Sequence, residues 1–136
     1  MLPFMPSPEP PPEQVLVSLP ARGFGVALGA PSLWTWTKWN LMKVTLTNLR
    51  LYGVWDPHIS RMLFSRKRGK VYFDVPMASI TEARLARVAM NLAVAVKYRL
   101  GDEVKELTIE GAIPWHNRIR ELHDALQRSL AAPGGA

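Results

Sequence analysis

From residue 14 to about residue 109, apolar side chains recur mostly at every second position, and near the end of the chain they recur at every third or fourth. A period of two predicts half-buried strands, whereas a period between three and four predicts an amphipathic helix. Val15, Val17 and Leu19 alternate with Leu16 and Ser18, and Val44 and Leu46 alternate with Thr45 and Thr47. The alternation returns in Leu49, Leu51 and Trp55 after a turn at Thr47-Asn48, in Val71, Phe73 and Val75, and in Leu92, Val94, Val96 and Tyr98. Leu107 and Ile109 predict a weaker last strand, joined to its predecessor across Leu100-Gly101-Asp102-Glu103, where Gly-Asp supplies hairpin chemistry.

Residues 82–89 read as helix by propensity alone. Their position argues for a strand, because a short helix there would interrupt a meander whose strands are separated by tight turns, and such context overrides local preference. The final element is different. Trp115, Ile119, Leu122, Leu126 and Leu130 are spaced by four, three, four and four, one stripe of a helix that begins at Pro114 and stops before Pro133-Gly134. Leu49, Leu51, Phe73, Val94 and Val96, together with Trp115, Ile119, Leu122 and Leu126, form the predicted core.

At 136 residues the chain is the size of one domain, and its apolar content of 48% suffices for a core. Residues 1–13 contain six prolines and are expected to form an extended, flexible arm, and residues 132–136 an unstructured tail. The chain has no cysteine, which removes thiol nucleophiles, disulfides and cysteine-ligated metal centres. The amino terminus lacks the basic and apolar regions of a secretory signal, and the uncharged run from Gly23 to Thr37 is shorter than the roughly 20 residues of a membrane span. A soluble, cytoplasmic protein is expected. Its net charge of +6 favours an anionic partner, or serves solubility alone.

About seven antiparallel strands followed by one capping helix is the order of a pleckstrin-homology (PH)-like barrel. Val44 to Val54 resembles the Leu-Thr-Asn-x-Arg-Leu hairpin of GRAM and bacterial PH-like domains. Phe73-Asp-Val-Pro-Met-Ala-Ser-Ile80 resembles the strand those families carry next, and Trp115 with Ile119 resembles the start of their last helix. The resemblance implies a mainly β (α+β) PH-like domain over residues 14–131, with a Trp-rich insertion at 20–40 where the family has a short connection. It implies a non-catalytic interaction module, because such a barrel offers peptides an open sheet edge and a helix-flanked groove.

Two clusters stand out as candidate interaction sites. Trp34, Trp36 and Trp39 lie within six residues, interleaved with Lys38, and Lys43 follows. Indole suits a lipid–water boundary, and a lysine beside it can reach headgroups, but the same residues can pack onto the sheet or fill a homo-oligomer interface. The second cluster is Arg66, Lys67, Arg68 and Lys70, on the loop before Val71. Four charges near an anionic bilayer contribute roughly 1 kcal/mol each, about 4 kcal/mol in all, which is only about millimolar binding. A second contribution is therefore required for membrane association. Lys38, Lys43 and Arg50 are the only cations near the first hairpin, so specific inositol-phosphate recognition is not expected.

Nucleic acid is disfavoured as a partner, since the remaining cations are dispersed and no RNP, KH or zinc-finger pattern is present. Catalysis has the least support. His116 and His123 are seven apart on the predicted helix, about 10 Å of rise, too far to share a metal, and His58 stands in a separate loop. No Gly-x-Ser-x-Gly elbow and no phosphate-cradling Gly-rich loop occurs, and no cofactor is implied. The expectation is a module that binds a protein partner or itself, with peripheral membrane association as an addition. The alternative is a domain for anionic phospholipids, using the tryptophans for the interface and the Arg66 to Lys70 loop for headgroups.

Overall fold

A computed structural model of the chain describes residues 12–21, 23–31, 42–55 and 69–131. Its strands are β1 (Val15–Leu19), β2 (Phe24–Ala27), β3 (Met42–Thr47), β4 (Arg50–Trp55), β5 (Val71–Pro76), β6 (Ile80–Val88), β7 (Asn91–Leu100) and β8 (Glu103–Gly111). One helix, α1 (His116–Ala131), ends the described chain after a 3₁₀ turn at Ile113–Trp115. The strands form two antiparallel four-stranded sheets, β1-β3-β4-β5 and β2-β8-β7-β6. No ladder joins the two sheets among the described residues, so the architecture is a pair of open sheets and not a closed barrel.

Three tight connections join five of the expected strands. Asn48-Leu49 links β3 to β4, with Leu46 opposite Leu51. Ala89-Met90 links β6 to β7, with Val88 opposite Asn91, and Gly101-Asp102 links β7 to β8, with Leu100 opposite Glu103. Of the segment 82–89, helical by propensity, all but the turn residue Ala89 is therefore strand: β7 offers every residue from Glu82 to Val88 a partner, and these non-local bonds outweigh a few tenths of a kcal/mol per residue.

The core lies between the sheets and under α1. Leu19, Leu46, Leu51, Val94, Val96, Leu107 and Ile109 are fully buried, and from the helix Ile119, Leu122 and Leu126 join them. The helical stripe thus meets both sheets, while Trp115 and Leu130 at its ends are half-buried. α1 approaches β8 so closely at Gly111 that a Cβ there would sit 2.7 Å from Ile119 Cγ1. Two polar contacts anchor the helix at its flanks: the Arg118 guanidinium donates to the Ser18 carbonyl, and the Gln127 amide donates to the Ala83 carbonyl.

The structure departs from the sequence reading in four places. β2 is an eighth strand, inside the stretch 20–40 read as an insertion; with only four residues, one of them Gly25, it is recognisable only through its pairing with β8. Val15 is exposed although it alternates with Val17 and Leu19, because a bulge at Leu16 sets Val15 opposite Thr47 and Val17 opposite Leu46. Leu49 is exposed too, since it occupies the β3–β4 turn instead of a strand face. The end of the proline-rich arm is tied down: Pro12 accepts a hydrogen bond from the Asn48 side chain, and Glu13 pairs with Arg50. The rest of the arm (1–11), residues 32–41 and the tail (132–136) lie outside the described residues.

Candidate functional site

Of the candidate interaction residues, Trp34, Trp36, Lys38, Trp39, Arg66, Lys67 and Arg68 lie outside the described residues, while Lys43 and Lys70 lie within them. Both lysines are exposed, and neither has an ion-pair partner among the described residues. The structure does show where the two candidate segments are rooted. Met42, which follows segment 32–41, is paired with Trp55, which precedes segment 56–68. Trp55 in turn exchanges backbone bonds with the far stem, its N–H donating to the Lys70 carbonyl at 2.9 Å and its carbonyl accepting from Gly69 N–H at 2.7 Å. Three neighbouring strands therefore start or stop at one end of the first sheet. With strands about 4.8 Å apart, the roots of both segments fall within about 10 Å of one another. Gly69 turns the chain back into β5 with φ +83°, a conformation that a side chain would strain.

That end of the sheet is aromatic as well as basic. Trp55 meets Tyr72 edge to face, with centroids 5.4 Å apart, and Lys43 lies across the ladder from Val54. At the opposite end stands the Leu46-Thr-Asn-Leu-Arg-Leu51 hairpin, whose polar residues are all committed to structure. The Thr47 hydroxyl donates to Glu13 Oε2 at 2.8 Å and accepts from the N–H groups of Leu49 and Arg50 at 3.0 and 3.1 Å. Asn48 Oδ1 accepts from Gln14 N–H at 2.7 Å. Arg50 bonds Glu13 and Asp74 and lies 4.2 Å over the Tyr52 ring. Of the cations near the hairpin, Arg50 is thus already engaged and is not free for a phosphate.

The remaining titratable groups do not assemble a reactive constellation. Among the described residues no three of His, Asp and Glu come together as metal ligands. His116 Nε2 is buried without a hydrogen-bond partner, while His123 meets Asp124 and Gln127 on the helix surface. Among the described residues Glu110, on β8, is the one buried acid, at 3% exposure. Asn91 Nδ2 donates to its Oε1 at 2.7 Å, and its Oε2 is buried without a partner. No hydroxyl, amine or second carboxyl of the described residues stands within hydrogen-bond distance to make that carboxylate an acid–base pair.

One surface feature had no signal in the sequence. Leu16 on β1 and Ala125, Arg128 and Ser129 on α1 line an open recess of about 300 Å³ between the sheet edge and the helix. Its walls are more than 100 residues apart in the chain, so no local pattern could announce it. No helix among the described residues is long and apolar enough to cross a membrane. No family model matches the chain, and no curated protein matches it.

Proposed function

We propose that the chain is a non-catalytic interaction module on a PH-like or GRAM-like framework, which binds a protein partner or a second copy of itself in the cytoplasm. The observation that carries this reading is the common root of the two candidate segments at Met42, Trp55 and Gly69-Lys70. The chain enters the first sheet at Met42 after Trp34, Trp36 and Trp39, and at Gly69-Lys70 after Arg66, Lys67 and Arg68, so both candidate segments lead into one end of that sheet. Large indoles beside arginines are the residue types that dominate protein interfaces. The antiparallel sheets followed by a helix, in the order those families have, support the framework, as do the hairpin motif and the helix stripe.

The same common root favours a second reading, an anionic phospholipid site. Cations worth about millimolar binding by themselves need a second contribution, which indoles entering the same bilayer supply, and two weak contributions multiply. Lys43 and Lys70 add charge at that end.

The two readings are separated by sedimentation with phosphatidylserine-rich vesicles at low salt and by mass in solution. On the protein reading the wild type stays in the supernatant, and the Trp34→Ala, Trp36→Ala double variant loses self-association or partner capture. Pelleting of the wild type that disappears in the same variant overturns the protein reading in favour of lipid. An unchanged mass and no pelleting for either protein sets both aside.

A further inference from the structure

We infer that the recess between β1 and α1 is a docking site for a peptide segment that presents an apolar side chain next to a carboxylate. This deepens the protein-binding reading above by adding a site at a different place from the rooted tryptophan and cation segments.

The recess is built by one local departure from regular structure and one short side chain. At Leu16 the β1–β3 ladder slips by one residue, so Leu16 has no counterpart in β3. An extra residue of this kind leaves the ladder and re-aims its side chain, and Leu16 lines the recess at 45% exposure beside the 62% exposed Val15. Farther along β1 the gap is closed, because Arg118 of α1 donates to the Ser18 carbonyl. The helix is thus pinned to the strand at one point and stands off from it at Leu16, Ala125, Arg128 and Ser129. Ala125 supplies a short side chain where a longer one would fill the space.

Charge decides the chemistry of the occupant. Arg128 is exposed, and among the described residues it has no ion-pair partner and no acidic residue lines the recess. Arg118, ten residues earlier on the same helix, is already occupied by Glu121 and Ser18. A helical side chain leans toward the amino-terminal turn, so the Arg128 guanidinium is directed toward Ala125 and away from the carbonyl end of α1. The apolar floor of Leu16 and Ala125 takes an aliphatic side chain, Arg128 takes the carboxylate, and Ser129 offers a hydroxyl as a further donor. The negative end of the helix dipole lies one turn away and opposes the carboxylate weakly. One small apolar contact and one charge-assisted pair place the affinity in about the millimolar range.

The probe is N-acetyl-leucyl-leucyl-aspartate amide, titrated into the full ¹⁵N-labelled chain and followed by amide chemical shifts. Saturable shifts confined to Leu16, Ala125, Arg128, Ser129 and their neighbours are expected. Arg128→Glu, at an exposed position that does not threaten the fold, weakens them about tenfold, the worth of one charge-assisted bond, and so does the asparagine analogue of the probe. Arg128→Lys retains part of the affinity. No shift at the recess up to 10-fold above the millimolar range overturns the inference. Equal binding of the aspartate and asparagine probes overturns its carboxylate. An Arg128→Glu protein that loses vesicle pelleting while binding the probe normally overturns it in favour of a headgroup site. Arg66→Glu, Arg68→Glu leaves the titration unchanged; a partner lost in that variant but kept in Arg128→Glu removes this site and leaves the broader reading standing.

Discussion

Arg50 and Glu13 meet through two bonds, Nε to Oε2 at 3.0 Å and Nη2 to Oε1 at 3.3 Å, and thereby close the entrance of β1 onto the hairpin between β3 and β4. Nη1 of the same guanidinium reaches Asp74 on β5 at 2.9 Å. One side chain at the start of β4 therefore ties the chain before β1 to β4 and to its neighbour β5. The leucine-rich hairpin motif, with its conspicuous arginine, is a structural clasp.

The clasp makes stability depend on acid. The Arg50 guanidinium first, and the Thr47 hydroxyl second, hold the Glu13 carboxyl below its ordinary value of 4.5. Arg50 is raised in return by Glu13 and Asp74. A carboxyl depressed in the folded state contributes stability that is full above its unfolded value and is lost as pH falls through the folded one. Both partners are about one-third exposed, so the contribution is small. The midpoint of thermal unfolding of Glu13→Gln is expected to lie slightly below that of the wild type at pH 7, and the gap should narrow as the pH falls below 4.5. A gap that persists unchanged as the pH is lowered, followed by scanning calorimetry, would show that the clasp acts by packing alone.

Two leucines of the same motif, two residues apart, should behave oppositely. Leu51 is fully buried in the core, whereas Leu49 is 44% exposed in the turn. Leu51→Ala is expected to cost about 2–5 kcal/mol, by lost transfer energy and a residual cavity. Leu49→Ala should stay within about 0.5 kcal/mol of the wild type, as surface changes do. Urea unfolding of both variants checks the contrast; equal losses would mean that the turn residue packs where the structure shows it exposed.

The second sheet contains its own internal comparison. Its two hairpins each have two loop residues, and in each the first loop residue is left-handed: Ala89 at φ +53° and Gly101 at φ +63°. Alanine resists that conformation and glycine does not. Ala89→Gly should therefore stabilise the protein by about 0.5–1 kcal/mol after the extra freedom of glycine in the unfolded chain is offset, and Gly101→Ala should destabilise it by about 1 kcal/mol. Nothing lies within 4 Å of a Cβ built on Gly101, so a loss there reports backbone strain alone. Chemical denaturation at constant slope is the measurement, and a stabilising Gly101→Ala would sink the comparison.

Much of this architecture is legible in the order of side chains because it depends on short-range regularities. The stripe from Trp115 to Leu130 specifies one helix face whatever that face meets, and the stripe is what α1 buries or half-buries. Gly101-Asp102 makes a two-residue hairpin by its own backbone preference, and the alternation in β7 can satisfy only a strand with one face in a core. Propensity misled only at 82–89, where position in the meander was the better guide. The candidate residues were legible as a composition of indoles and cations, and two of them, Lys43 and Lys70, are exposed at one end of the first sheet.

What tertiary structure alone decided are the relationships between residues far apart in the chain. β2 is a strand because β8, more than 80 residues away, supplies its hydrogen bonds. Leu16 faces α1 because the ladder with β3 slips at that one residue, and a slip in register moves side chains from one face to the other without any change in sequence pattern. Arg50 is engaged because folding carries Glu13 and Asp74 to it. The sequence by itself determined the helix, every strand except β2, and which side chains are apolar enough for a core. Only the fold determined which cations are already paired and which, like Arg128, remain to meet a partner, because pairing is a matter of distance in space and leaves no periodic trace along the chain.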